Sequence, residues 1–265
     1  SMMNKMRLHE LLKEKKGEEP EMKMDDWKKF LHNYENPEHE ITIALVGKYC
    51  DLEDAYVSHE EALNHCWAET RTEINIKYIE SEELEENSAE DLLGDVDGIL
   101  IPGGFGTRGI EGKINAVHHA RENKLPILTI CLGFQVSVIE FARNVLEYEN
   151  ANSSEFDNDT PHPVIDLLPM QRGIDNMGGT MRLGAEKIYI EENTKAHDIY
   201  EDTVIQERHR HRYEVNLNYK DEMEENGIRF SGYSHNGKRM EILEVEDHPF
   251  FIGCQFHPEF QSRPM

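Results

Sequence analysis

Pro126-Ile-Leu-Thr-Ile-Cys131-Leu-Gly133 decides how this chain folds. Five residues of apolar and β-branched character predict a short buried strand, which runs directly into a cysteine. Directly after Gly133 the periodicity changes. Phe134, Val138, Phe141, Ala142 and Val145 recur at helical spacing, so an amphipathic helix follows with almost no loop. A strand, a tight turn and a helix in immediate succession form the unit of an open α/β sheet, and the turn falls at the carboxyl end of the strand.

The same alternation extends to both sides. Ile41 to Gly47, Ile74 to Ile79, and Gly98 to Pro102 are predicted strands, separated by a helix around Ala62 and Leu63 and by an acidic stretch. A helix from about Ile114 to Asn123 leads into the central strand. The pattern predicts a doubly wound, mostly parallel sheet. Farther on, Glu186 to Ile190, Ile228 to Tyr233, Arg239 to Val245 and Phe250 to Phe256 follow one another more closely, predicting an added antiparallel portion. Residues 1–39 differ in character. They are dense in charge, carry Leu8, Leu11, Leu12, Trp27, Phe30 and Leu31 at helical spacings, and are broken at Gly17 and Pro20. They are read as a charged helical linker, and residues 40–265 as the main domain.

Composition narrows the function. The 265 residues carry 28 Lys and Arg against 53 Asp and Glu, a formal net charge of −25. Such a surface repels phosphate backbones and anionic membranes, which excludes nucleic acid and membrane as partners. No apolar run reaches the roughly 20 residues that span a bilayer. Four cysteines, none in a C-x-x-C pair, argue against a metal knuckle or a redox pair and for reduced thiols in the cytoplasm.

Cys131 is the candidate nucleophile. At a sharp strand-to-helix turn its sulfur projects above the sheet, and the helix N-terminus favours thiolate. The alternative, a buried core cysteine, does not explain the Leu-Gly that follows. A thiolate acting on an acyl group needs a base and an orienting acid. His257-Pro258-Glu259, at the end of the last strand, supplies both. Pro102-Gly103-Gly104-Phe105-Gly106 ends another strand, and its glycines leave backbone N–H groups free to meet an oxyanion. A phosphate loop is the rival, but neither G-K-[ST] nor G-x-G-x-x-G spacing is present.

Together with these motifs, Ala44 to Tyr49, Ala151 to Phe156, Gly178 to Gly184 and Arg208 to Glu214 make the sequence from residue 40 onward resemble the glutaminase domain of CTP synthases, a flavodoxin-like class I glutamine amidotransferase. The resemblance implies hydrolysis of L-glutamine by Cys131, His257 and Glu259, with oxyanion donors at Gly104 and Leu132. It assigns Gln135, Glu155, Arg212 and Tyr213 to glutamine binding, and Phe105 and Arg182 to the lid and a GTP effector. It implies no metal or cofactor in this domain, since ATP, Mg and UTP belong to a synthetase domain that is the partner. Without the resemblance, the Arg208–Arg212 tract is equally a solvated basic strand or a weak metal-binding tract. One departure stands out. Thr129 occupies a position where the family has glycine, and a β-branched side chain there is expected to crowd the elbow. That departure keeps open a catalytically silent regulatory or assembly domain, and another class I glutaminase is the remaining alternative.

Overall fold

The computed structural model describes residues 24–52, 54–167 and 181–264. The expected helix around Leu8, Leu11 and Leu12, and the Gly178-Gly-Thr portion of the expected lid, lie outside them. Five parallel strands form the first half of the central sheet: β1 (His39–Gly47), β2 (Thr72–Glu80), β3 (Gly98–Ile101), β4 (Ile127–Ile130) and β12 (Phe251–Cys254). Their order is β2-β1-β3-β4-β12. The sheet then continues antiparallel through β11 (Arg239–Val245), β10 (Ile228–Ser234), β7 (Arg182–Ile190) and β8 (Val204–His211). The predicted antiparallel portion is therefore an extension of the same nine-stranded sheet.

Alternating side chains divide the core between two faces. Ile99, Ile101 and Ile127 join the cluster beneath α5 (Ile110–Asn123) and α6 (Leu132–Asn144). Leu45, Leu100, Ile130 and Ile252 point to the other face, towards α2 (Val57–Thr70) and α7 (Lys195–Tyr200). Short helices α3 (Glu83–Glu86) and α4 (Ala89–Leu93) link β2 to β3, and α8 (Lys220–Glu225) precedes β10. Helix α1 (Met24–Glu35) carries Trp27, Phe30 and Leu31 of the expected linker and lies along α2. Asn33 donates to the Ala68 carbonyl, and the Tyr34 and Trp67 rings are 4.4 Å apart.

Helix α6 departs from the expected one-sided pattern: every residue from Leu132 to Ala142 is buried. The cause is a second, three-stranded sheet of β5 (Asn152–Ser153), β6 (Pro163–Asp166) and β9 (Glu214–Val215), which packs on the helix side turned away from the main sheet. A helix covered on both sides has no polar stripe. Its Glu140 is buried and offset by Arg121, which donates to both carboxylate oxygens at 2.9–3.1 Å.

Thr129 does not crowd the elbow. In the parallel register it lies beside Gly253, and a Cβ built on Gly253 would sit 2.7 Å from Thr129 Oγ1. The glycine that would relieve the packing is on the neighbouring strand. Thr129 Oγ1 also accepts a 3.1 Å hydrogen bond from Ser137, so its buried hydroxyl is satisfied. Gly253→Ala should therefore cost about 1–3 kcal/mol by overpacking. Adding Thr129→Gly should recover part of the loss, and urea denaturation of the single and double variants measures the coupling.

Candidate active site

Strand β4 delivers Cys131 to the top of the sheet, and the turn there is severe. Cys131 has φ 54° and ψ −99°, a conformation that costs a non-glycine residue on the order of 1–3 kcal/mol. Packing on both sides maintains it. The Cys131 N–H donates to the Cys254 carbonyl at 2.7 Å, and α6 starts at the next residue. Gly133 is required because a Cβ there would meet the Ile101 carbonyl oxygen at 2.5 Å. Helix and strand can approach only where that side chain is missing.

Strand β12 runs parallel to β4 and brings the second motif to the same level. His257 follows the end of β12, where its N–H donates to the Arg208 carbonyl of β8 at 2.8 Å. Pro258 starts a 3₁₀ turn that carries Glu259 back beneath the ring. The His257 Nδ1–Glu259 Oε1 distance is 2.8 Å, and both side chains are buried. His257 Nε2 is buried without an aligned hydrogen bond in this resting arrangement. Burial opposes charge on this imidazole. Its polar contacts with Cys131 and Glu259 outweigh it and raise its pKa to about 10. The histidine is therefore held towards its charged form.

Gly103 and Gly104 lie beside this pair. A Cβ on Gly103 would touch His257 Cε1 at 2.7 Å, and one on Gly104 would lie 3.2 Å from Leu132 Cδ2. Lys48 fixes the loop: its ammonium donates to the carbonyls of Phe105 at 3.1 Å and Gly106 at 2.9 Å. Arg108 returns a hydrogen bond to the Lys48 carbonyl. Helix α5 adds Lys113, fully buried; burial, then repulsion from Lys48, pushes it down to about 7, while Cys131 pulls it upward.

A pocket of about 60 Å³ opens over Cys131. Gly104, Phe105, Leu132, Gln135, Glu155, Arg212 and Tyr213 line it, so the expected oxyanion and glutamine-binding residues converge. Glu155 feels Arg212 and Lys48, which offset part of the burial that raises its pKa. Gln135 Nε2 donates to the Tyr213 carbonyl at 3.1 Å and to Gln255 Oε1 at 3.2 Å, which fixes its amide beneath the pocket. Phe105 is exposed and lies under the Arg210 guanidinium, 5.4 Å from ring centre to carbon.

Arg182 is the correction. Expected on the lid, it starts β7 with its guanidinium buried and turned into the fold. It bonds Glu214 at 3.0 Å, and Glu186 and Glu241 at 2.8 Å. It also lies 3.3–3.4 Å from the His211 and His209 ring nitrogens. His209, His211 and Glu241 have the spacing of metal ligands, but the guanidinium holds the centre of that cluster. The histidines of the basic tract thus face inward, while Arg208 and Arg210 alternate outward and Arg212 follows the strand half-buried.

The model of the family Glutamine amidotransferase class-I matches residues 51–265. The chain belongs to this family, in the branch of CTP synthase glutaminase domains. The CTP synthase of Desulfitobacterium hafniense is 56% identical over 247 residues, covering 93% of this chain and 46% of that protein. The CTP synthase of Archaeoglobus fulgidus is 55% identical over 239 residues, covering 90% and 44%. A solved glutaminase domain of Trypanosoma brucei CTPS with bound acivicin is 40% identical at a TM-score of 0.80, covering 85% of this chain and 88% of that one. The amidotransferase chain spans less than half the length of these curated relatives.

Sequence reasoning about the site missed Lys48, Gln255 and His59. Lys48 follows a strand-ending glycine, which marks a loop but not its partner; Gln255 and His59 carry no local signal. Among the titrating groups, burial is the first cause that lowers His59, His209 (to about 4) and His211. The unfolded chain therefore binds more protons below pH 6.5, and stability should fall as pH drops from 6.5 towards 4. His257 has the opposite sign. Its contribution is complete below 6.5 and is lost as pH rises towards 10. Thermal melts should show a maximum near neutrality, with the alkaline arm flattened in Cys131→Ala; a melting temperature constant from pH 5 to 9 contradicts this.

Proposed function

We propose that this domain hydrolyses L-glutamine to glutamate and ammonia through a Cys131–His257–Glu259 triad. The supporting observation is the convergence of a cysteine at a strained elbow with a buried imidazole–carboxylate pair at the end of the neighbouring strand. The Cys131 thiolate attacks the side-chain amide carbon, and the carbonyl oxygen becomes an anion. The backbone N–H groups of Gly104 and Leu132 receive that charge, Gly104 from the loop that Lys48 holds through the Phe105 and Gly106 carbonyls. His257 as imidazolium passes a proton to the departing amine, giving ammonia and a γ-glutamyl thioester. Water, deprotonated by the now neutral His257, attacks the thioester. Glutamate leaves and the thiolate–imidazolium pair is restored. Glu259 holds the Nδ1–H tautomer throughout.

Glu155, with Arg212 and Tyr213, takes the amino-acid end of glutamine. The carboxylate faces the α-ammonium, and the guanidinium faces the α-carboxylate. Gln135 shapes the floor. Phe105, exposed under Arg210, belongs to the surface assigned to a GTP effector, which Arg182 supports only from beneath. In the whole protein the ammonia is passed to UTP activated by ATP and Mg in a synthetase domain, yielding CTP in the cytoplasm. No cofactor acts in the glutaminase step itself.

Cys131→Ala should reduce ammonia release at least about 10³-fold. Glu259→Gln should lower kcat with little change in KM, since it alters imidazole orientation and not glutamine contact. A Cys131→Ala protein that releases ammonia at the parent rate would overturn the proposal. GTP should stimulate the parent, and Phe105→Ala should lose that stimulation.

A further inference from the structure

Glu259 is approached by a second imidazole. His59, on the first turns of α2, is buried, and its Nε2 lies 3.6 Å from the same Oε1 that His257 contacts at 2.8 Å. Among the described residues, both His59 ring nitrogens lack a hydrogen-bond partner, and so does Glu259 Oε2. Three unsatisfied buried polar atoms at one point are costly unless they serve each other during turnover. At 3.6 Å the contact is too long for a hydrogen bond, but catalytic contacts are often loose in the unliganded state and tighten in the complex. The Tyr56 ring stands edge-on to His59, 5.9 Å away, and limits where it can swing.

We propose that His59 is a positioning residue of the triad: a neutral imidazole that donates Nε2–H to Glu259 and fixes the carboxylate that orients His257. The inference rests on the triad reading given above. The charged and titratable groups facing His59 are Glu259 and His257 from the C-terminal segment, Lys113 from α5, and Glu60 on its own helix. Burial, ahead of the repulsion from His257 and Lys113, keeps His59 uncharged at neutral pH, and Glu259 and Glu60 only partly oppose this. Protonation in mild acid places a cation beside Glu259. It then draws the carboxylate away from His257 and repels the imidazolium. His59 thereby gives the hydrolysis an acid limb of its own.

The test is the pH profile of glutamine hydrolysis for the parent, His59→Leu and His59→Gln, with Cys131→Ala alongside. At pH 8, His59→Leu should lower kcat about tenfold at unchanged KM, the loss of one hydrogen bond to a charged group. Its acid limb should be shallower and displaced to lower pH. His59→Gln, which keeps an N–H donor but cannot titrate, should recover most of kcat at pH 8 and retain the shallow limb. A His59→Leu profile that superimposes on the parent overturns the role of His59, while loss of activity in Cys131→Ala leaves the triad standing. Activity surviving in Cys131→Ala removes the triad itself. Should His59→Leu not fold, ¹⁵N imidazole spectra of the parent decide: a neutral Nε2–H tautomer of His59 that takes up its proton only on acidification supports the proposal, and an Nδ1–H tautomer overturns it.

Discussion

The pairing of β4 with β12 is the constraint on which the site depends. The two strands are distant in sequence and parallel in space, with Ile130 beside Cys254. One 2.7 Å hydrogen bond, from the Cys131 amide to the Cys254 carbonyl, continues the ladder by one residue past the last regular pair. It holds a backbone that isolated cysteine disfavours, and it sets the level from which His257 descends. A slip of one residue would turn Cys131 or His257 to the wrong face of the sheet. Thr129 and Gly253 resist that slip, since the threonine hydroxyl occupies space only a glycine leaves free. The silent-domain alternative rested on Thr129, and the packing removes its physical basis.

The second half of the sheet serves the first. Strands β7, β8 and β11, joined by β9 of the small sheet, contribute Arg182, His209, His211, Glu241 and Glu214 to one buried network. Burial, moderated by Arg182, raises the Glu214 pKa. Buried ion networks contribute little net stability but are intolerant of partial removal. Here the network fixes the strand whose Arg210 lies over Phe105 and which leads into Arg212 at the pocket. Glu241 also accepts the Gln255 N–H through its backbone carbonyl, which joins the network to the segment carrying His257.

Much of this was legible because the informative residues sit where chain geometry changes. Strand, cysteine, glycine and helix follow without a gap at Cys131. His-Pro-Glu ends a strand, and three glycines follow Pro102. Local chemistry dictates the residue types there. The inward-facing side chains of β8 were not legible, because Arg208 to Arg212 in isolation is equally a solvated strand. Only its partners reveal alternation. Helix α6 looked one-sided, since the small sheet covering its other side is assembled from three distant segments. The resemblance assigns Arg182 to the lid, yet its side chain is committed to carboxylates that lie up to 59 residues away. His59 had no signal at all, as a histidine in an acidic helix is ordinary until Glu259 is found beside it.

The central claim is that Cys131, of the four cysteines, is the activated nucleophile of a glutamine pocket. Its most direct test is intact-protein and peptide mass analysis after reaction with an electrophilic glutamine analogue. The account predicts a single adduct on the peptide containing Cys131, suppressed by excess L-glutamine. It also predicts no adduct on Cys66, whose thiol pKa is pushed up by desolvation. A folded protein left unmodified at Cys131, or modified at Cys66 with no protection by glutamine, would contradict the account.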